Sequence, residues 1–321
     1  MRRAPFLPLL CLVLATAALA APGIAAAQSL ARPDATAAAP PGPVPRARPP
    51  GRVTHQPDLP GPWRDAVVAF AACSGVLIAP DVVLTAGHCA PAAVRQVRPV
   101  GQSTHDCPGL QQQSALQQRP WEEPDRWYPV AAPAVVHFGP DRRRPRFSQE
   151  VAAYALPRCA DLLLLKLRFQ IPLYVARALP VLTSAPLDAG GAGARELRHA
   201  GFGGGGRRGT GPVGIVGING CAILGLGPGR LTGRALVPGD SGAPLLMRGM
   251  ATRADGTREE VVAGIAYAVG IADTPTCGMP ALRRIAGLSS WTPTARAGIS
   301  GTEATPLGDW LRRMVPQADH R

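Results

Sequence analysis

The sequence lacks several features that would mark a membrane, metal-binding or nucleotide-binding protein. Its longest apolar run, Phe6–Ala20, has 15 residues, whereas a membrane-spanning helix needs roughly 20. No Cys-x-x-Cys pair is present, which argues against a zinc site. The glycine run Gly203–Gly206 is not followed by Gly-Lys-Ser or Gly-Lys-Thr, so we interpret it as a flexible loop and not a phosphate-binding loop. These absences predict no membrane anchor in the mature protein, no bound metal and no other cofactor.

Lysine is almost absent, and aromatic residues make up only 5% of the chain. Lys166 is the one lysine, so the formal net charge of +13 comes from arginine. A nucleic-acid-binding surface combines clustered basic side chains with stacking aromatic rings. The run Arg142–Arg144 has only Phe147 near it in the sequence. We interpret the run as a solvated loop and predict no nucleic-acid partner.

The N-terminus has the parts of a secretory signal. Met1–Arg3 is positively charged, the apolar run follows, and small residues form cleavage sites at Ala18–Ala20 and Ala25–Ala27, of which the second is preferred. The next segment is rich in proline and alanine, which cannot bury a core. We predict a monomer that is secreted or periplasmic, with three parts: a signal peptide (1–27), a propeptide or linker (28–52) and one folded domain (53–321).

Short apolar runs bounded by turn residues predict strands in the folded domain. The runs lie at Ala66–Ala71, Cys73–Ile78, Val82–Thr85, Ala134–Gly139, Leu162–Leu167, Pro244–Met247 and Val261–Val269. Residues 95–130 are polar, rich in glutamine and without clear periodicity, so we interpret them as a surface insertion. Residues 305–315 can form a helix. Short strands, glycine-rich turns and few helices predict an all-β protein.

Three separated segments carry the side chains of one kind of catalytic chemistry. Ser241 lies in Gly239–Pro244, where small neighbours let a substrate carbonyl approach its hydroxyl. That hydroxyl needs a base, and His88 is the candidate. Asp161 opens an apolar run and is the candidate for holding the imidazole in the required tautomer.

The order of these segments argues against the α/β-hydrolases. Those enzymes carry Gly-x-Ser-x-Gly and place the histidine after the serine. Here Ala243 stands at the position of the second glycine, and the one later histidine, His320, lies in a charged tail.

The order His, Asp, Ser and the residues around each member resemble the chymotrypsin-like or trypsin-like serine proteases, as does Gly201-Phe202-Gly203. The resemblance implies two antiparallel six-stranded β-barrels with the site in the cleft between them, and a C-terminal helix. It implies that Ser241 attacks, His88 transfers the proton and Asp161 orients the imidazole. The backbone N–H groups of Gly239 and Ser241 would form the oxyanion hole. The chain would then be a secreted serine endopeptidase that cleaves polypeptide substrates through an acyl-enzyme.

Cysteine usage fits an exported protein. Of the seven cysteines, Cys11 leaves with the signal, and the even number that remains indicates disulfides. The resemblance implies a pair between Cys73 and Cys89. The pairing of Cys107, Cys159, Cys221 and Cys277 stays open.

The resemblance also suggests a specificity pocket. It places Ala235 at the base of the pocket and Tyr267, Ala268 and Val269 along its wall. A neutral, shallow pocket favours small or medium apolar side chains before the scissile bond. An acid from another loop, such as Asp273, would instead favour basic side chains.

Several departures from the family bear on activation and activity. Val237 stands where many members carry a cysteine, and no Ile-Val-Gly-Gly start is present. We expect a zymogen that is cleaved after Arg52, so that the new ammonium of Val53 pairs with Asp240. The alternative function is a catalytically silent homologue that binds a partner through the same cleft. The tryptophan of the closing helix is either Trp291 or Trp310.

Overall fold

The computed structural model describes residues 64–89, 125–157, 160–184, 197–218, 223–226, 236–252, 258–269, 289–295 and 306–321. All of them lie in one compact unit, Arg48–Arg321. Short 3₁₀ turns occur at Arg64–Ala66 and Gly87–Cys89. The other elements of these residues are β1 (Val67–Phe70), β2 (Cys73–Ala79), β3 (Val82–Thr85), β4 (Tyr128–Pro129), β5 (Val135–Phe138), β6 (Phe147–Ala155), β7 (Leu163–Leu167), β8 (Leu197–Gly201), β9 (Gly209–Pro212), β10 (Gly214–Ile218), β11 (Ile223–Leu226), β12 (Pro244–Thr252), β13 (Arg258–Val269), β14 (Ser289–Pro293) and the helix α1 (Leu307–Met314).

The first sheet is a closed antiparallel barrel. Its six strands pair in the order β1, β2, β3, β7, β6, β5, and β5 pairs back with β1, while β4 adds to β6. Closure leaves few unpaired strand edges. Every residue of β1, β2 and β3 is buried, which explains why these strands appear in the sequence as continuous apolar runs.

The second sheet is also antiparallel and contains seven strands within the described residues. Their order is β10, β11, β14, β13, β12, β8, β9. Its core is built around Trp291 of β14, with Leu245 and Met247 of β12 and Leu197 of β8. The longest pairing, between β12 and β13, contains register shifts, and such bulges increase local twist.

The chain ends in a helix and a tail that pack onto the first barrel's core. Leu307, Trp310, Leu311 and Met314 of α1 are buried and belong to the same apolar cluster as the barrel strands. The tail continues beside Val181, whose N–H donates to Asp319 O at 2.8 Å. The closing helix therefore contains Trp310, and Trp291 lies in a strand.

The predicted fold class is confirmed: the chain is mostly β, with a closed six-stranded barrel and one C-terminal helix. The strand predictions agree with β1, β2, β3, β5, β7, β12 and β13. The sequence analysis predicted no strand at β6, β8–β11 or β14. The end of the predicted insertion forms a strand at Tyr128–Pro129, and residues 95–124 lie outside the described residues. No described helix is long and apolar enough to cross a membrane.

Candidate active site

His88 and Asp161 meet at one end of two paired strands. His88 lies in the 3₁₀ turn after β3, and Asp161 lies two residues before β7. Because Thr85 pairs with Leu163, the two side chains arrive at the same end of the barrel. His88 Nδ1 is 2.6 Å from Asp161 Oδ2, and the His88 backbone N–H donates to Asp161 Oδ1 at 2.8 Å.

This two-point contact fixes both the position and the tautomer of the imidazole. Asp161 is only 3% exposed, whereas His88 is 32% exposed. An ionised carboxylate can only accept hydrogen bonds, so Nδ1 carries the proton and Nε2 is left as the basic nitrogen. The arrangement can therefore accept a proton from a neighbouring hydroxyl at Nε2.

A disulfide ties this turn to β2. Cys73 and Cys89 are bonded, with their Cα atoms 5.9 Å apart, which confirms the pair implied by the resemblance. Their sulfurs and the His88 ring form a cluster of metal-ligand type. The cluster does not suit a metal ion, because metal-binding cysteines are thiolates and these sulfurs are bonded to each other. The other cysteines lie outside the described residues.

The segment around Ser241 is held by its carbonyl groups. All five carbonyls from Val237 to Ser241 accept a hydrogen bond, two of them from Ser74 of the first barrel. The bonds are Asp240 N to Val237 O (2.9 Å), Gly204 N to Pro238 O (3.3 Å), Ser74 Oγ to Gly239 O (2.9 Å), Ala243 N to Asp240 O (2.8 Å) and Ser74 N to Ser241 O (2.7 Å). The backbone of the segment is therefore fixed against Ser74 of the first barrel and Gly204, which follows β8 of the second sheet.

Gly242 allows the serine segment to lie directly on the first barrel. Its φ of +81° belongs to the left-handed region that side chains disfavour. A Cβ at this position would run into the Ser74 carbonyl and the Thr85 hydroxyl, and it would lie 3.1 Å from Ala86 N. Ala86 precedes His88 by two residues, so the structure brings the Ser241 segment to the end of β3 where His88 and Asp161 lie.

Two N–H groups of the same segment have no acceptor. Within the described part of the chain, no hydrogen bond is made by the N–H of Gly239 or of Ser241, and both residues are half-buried. Gly239 has a φ of +100°. Two free donors separated by one residue can bind a single oxygen, and they are the pair that the sequence analysis assigned to an oxyanion hole.

Asp240 lies between these two donors in the sequence and is 1% exposed. Its Oδ1 accepts from Gly203 N at 2.8 Å and its Oδ2 accepts from Val237 N at 3.0 Å. No cation pairs with this carboxylate among the described residues. Val53, the predicted partner, lies outside them, as does Arg52.

The predicted specificity pocket is only partly described. Ala235 and Asp273 lie outside the described residues, and Tyr267, Ala268 and Val269 are described only as the backbone at the end of β13. β13 runs beside the serine segment, because Gly242 N donates to Ala266 O at 2.7 Å.

A second serine and histidine pair lies elsewhere on the first barrel. His137 of β5 and Ser148 of β6 are cross-strand neighbours, with Nδ1 and Oγ 2.9 Å apart. Burial lowers the pKa of His137. Within the described residues no carboxylate bonds to this histidine, so the pair lacks the arrangement found at His88.

One family model matches part of the chain. Residues 53–123 match the family model described as Trypsin, and this range contains Cys73, His88 and Cys89. No curated protein sequence matches the chain.

Two solved structures are similar in fold. Human heparin binding protein is 17% identical, with a TM-score of 0.46 over 74% of this chain and 89% of its own. Neuropsin, a serine protease expressed in mouse brain, is 15% identical, with a TM-score of 0.44 over 73% of this chain and 91% of its own. The match to the Trypsin family model confirms the predicted resemblance of this chain to the trypsin-like serine proteases.

Proposed function

We propose that this protein is a secreted serine endopeptidase in which Ser241 is the nucleophile, His88 the general base and Asp161 the residue that orients His88. The observation that carries the proposal is the two-point hydrogen bonding of His88 to buried Asp161, beside the segment that presents Ser241. A histidine that is held by an aspartate in this way can act as a base without a metal or cofactor. The trypsin-like fold suggests a proteolytic function, and polypeptides are then the substrates.

The proposed reaction uses the donors and acceptors described above. Ser241 Oγ attacks the scissile carbonyl carbon and gives its proton to His88 Nε2. The carbonyl oxygen becomes an oxyanion, which would accept hydrogen bonds from the N–H groups of Gly239 and Ser241. The imidazolium then protonates the leaving amine, and an acyl-enzyme forms on Ser241. Water then attacks the acyl carbon and gives a proton to His88. His88 returns a proton to Ser241 Oγ as the carboxylic acid product leaves.

Substrate preference follows from the predicted pocket. Ala235 at its base brings no charge, and the backbone of Tyr267–Val269 at the end of β13 would pair with the extended substrate. We propose small or medium apolar side chains before the scissile bond. Because each matched methylene contributes about 1–3 kcal/mol, the preference is graded.

Processing and location complete the proposal. The Cys73–Cys89 disulfide suits an oxidising compartment, and the family match begins at residue 53, which is the predicted first residue of the domain. We propose that residues 1–27 direct export, that residues 28–52 are a propeptide or linker, and that residues 53–321 act as a monomeric protease.

The test is covalent labelling combined with turnover. A fluorophosphonate probe should label the mature protein, and Ser241→Ala should abolish labelling and lower the turnover of peptide anilides by several orders of magnitude. Anilides of alanine, valine, leucine, phenylalanine and arginine report the pocket preference in the same assay. Arginine turned over fastest would refute the apolar pocket.

Ser148→Ala is the matched control, because it removes a serine that also contacts a histidine. We expect this variant to keep parental labelling and turnover. Near-parental activity in Ser241→Ala would refute the proposed nucleophile. A parental protein that is neither labelled nor active would instead favour the catalytically silent homologue.

A further inference from the structure

Ser74 connects the first barrel to the segment that carries the nucleophile. It is the second residue of β2 and is fully buried. Its N–H donates to Ser241 O at 2.7 Å, and its hydroxyl donates to Gly239 O at 2.9 Å. The same hydroxyl accepts from Phe202 N at 2.9 Å. One residue thus holds carbonyls on both sides of Asp240.

The direction of the Ser74 hydroxyl proton is determined by its partners. The N–H of Phe202 can only donate, and the carbonyl of Gly239 can only accept. The hydroxyl proton must therefore point at Gly239 O. Thr85 Oγ1 fixes the residue from the other side by donating to Ser74 O at 2.6 Å, so Ser74 has little freedom to reorient.

The tether is placed where the backbone would otherwise turn easily. Gly239 has no Cβ and adopts a φ of +100°, so the residue itself offers little steric resistance to rotation of its peptide groups. Val237 stands four residues before Ser241, where a cysteine in many related proteases would brace the segment by a disulfide. The hydroxyl of Ser74 instead links the segment to the first barrel.

We propose that Ser74 is a positioning residue that keeps the N–H groups of Gly239 and Ser241 directed at the oxyanion. The proposal rests on the proposed function. Ser74 binds the carbonyls of Gly239 and Ser241, and so fixes the peptide groups on either side of the Asp240–Ser241 peptide. The N–H groups of Gly239 and Ser241 remain free to bind an oxygen. Preorganised donors of this kind act on the transition state more than on the ground state.

The experiment compares Ser74→Ala with a control that loses a buried hydroxyl elsewhere. Thr294 is fully buried, and its Oγ1 donates to Val262 O at 3.2 Å in the second sheet. Thr294→Val removes a bond of the same type without touching residues 237–241. For both variants we would measure kcat, KM, the second-order rate of fluorophosphonate labelling and the midpoint of thermal unfolding.

We expect Ser74→Ala to lower kcat and the labelling rate about tenfold, less than the loss of a whole oxyanion donor, while KM stays within about twofold. Thr294→Val should keep parental kcat and labelling although its unfolding midpoint falls. Ser74→Gly, which keeps both backbone bonds, should repeat the loss of kcat and serves if Ser74→Ala does not fold.

Two results would overturn the proposal, and they are distinguishable. If the parent is labelled and Ser74→Ala and Ser74→Gly react at the parental rate, or lose no more kcat than Thr294→Val, Ser74 has no positioning role and the proposed function stands. If the parental protein itself is not labelled, the proposed function fails and the role of Ser74 fails with it.

Discussion

Asp161 and Asp141 are two acids that differ in burial. Asp161 precedes an apolar run, and Asp141 precedes a run of arginines. Asp161 is buried, and its two oxygens both contact His88. Asp141 is only partly buried, and its Oδ1 accepts from the N–H of Arg143 in the same turn. These contacts make Asp161, and not Asp141, the candidate partner of His88.

Asp161→Asn tests this choice. An amide in place of the carboxylate can donate a hydrogen bond to Nδ1 and so favours the wrong imidazole tautomer, for which we expect kcat to fall by about four orders of magnitude. Asp141→Asn is the control and should retain parental kcat on the same anilide. The opposite pattern, with Asp141→Asn inactive and Asp161→Asn unaffected, would reverse the assignment.

At this scale the sequence identified the groups whose neighbours along the chain are distinctive. His88, Asp161 and Ser241 each lie in a recognisable segment. Ser74 was missed, because its partners Phe202 and Gly239 lie 128 and 165 residues away and a buried serine after a cysteine carries no distinctive pattern. Its importance depends on which backbone groups the tertiary fold brings to its hydroxyl.

At the scale of elements, strands were predictable where burial is uniform. Every residue of β1, β2 and β3 is buried, and the sequence shows their apolar runs directly. β6 mixes exposed and buried positions along its length, so neither a continuous run nor a strict alternation marks it. β10 and β11 contain glycine, which is depleted in strands. Their sequences therefore do not indicate strands, and the strand structure depends on their pairing.

The C-terminal helix illustrates an element that depends on packing. α1 has only 8 residues, and isolated helices of that length are marginal in water. Its stability must come from the buried face that includes Trp310, which is fully buried against the first barrel's core. The sequence left the choice between Trp291 and Trp310 open, because the run that ends at Trp291 resembles the family's approach to its closing helix, while residues 305–315 can themselves form a helix.

Trp310→Ala should therefore lower the free energy of unfolding by about 3–5 kcal/mol, the usual result of removing a large buried aromatic side chain. Denaturant unfolding of the active-site variant Ser241→Ala, with and without the change, measures the loss without self-cleavage. Arg313→Ala on the exposed side of the helix is the control. Its contact with Asp125 is half exposed, so we expect a change of no more than about 1 kcal/mol. A loss under about 1 kcal/mol for Trp310→Ala would show that the helix is not held by this packing.

At the scale of the whole molecule, the candidate site is assembled from the first barrel and the second sheet. The first barrel supplies His88, Asp161 and Ser74, and the connection from the second supplies residues 237–242. The sequence predicted the two groups separately. How the backbone joins them, through Ser74 and through the close approach that Gly242 allows, could not be predicted because it depends on long-range packing with no local pattern.

Asp240 is the predicted partner of the new N-terminus that cleavage after Arg52 would create. It is 1% exposed, and each of its oxygens accepts one backbone N–H. A carboxylate has about four acceptor positions, so two remain, and among the described residues no cation balances its charge. A buried charge without a partner costs several kcal/mol. A new ammonium at Val53 would supply the missing charge at Asp240, the residue before Ser241.

Activation by cleavage after Arg52 predicts a specific difference between two arginine variants. Arg52→Gln should accumulate a longer form whose kcat is at least about tenfold lower. The longer form lacks the buried ion pair between Val53 and Asp240, and breaking a buried pair costs about 3–5 kcal/mol. A loss of only about 1.4 kcal/mol of this energy from transition-state stabilisation lowers the rate tenfold. Arg46→Gln alters a nearby arginine in the same proline-rich segment and should mature normally. N-terminal sequencing of the active parental protein should begin at Val53. Full activity in a protein that begins at Gln28 would refute activation by cleavage after Arg52. Asp240 would then be a structural acid, with its carboxylate held by the N–H groups of Gly203 and Val237.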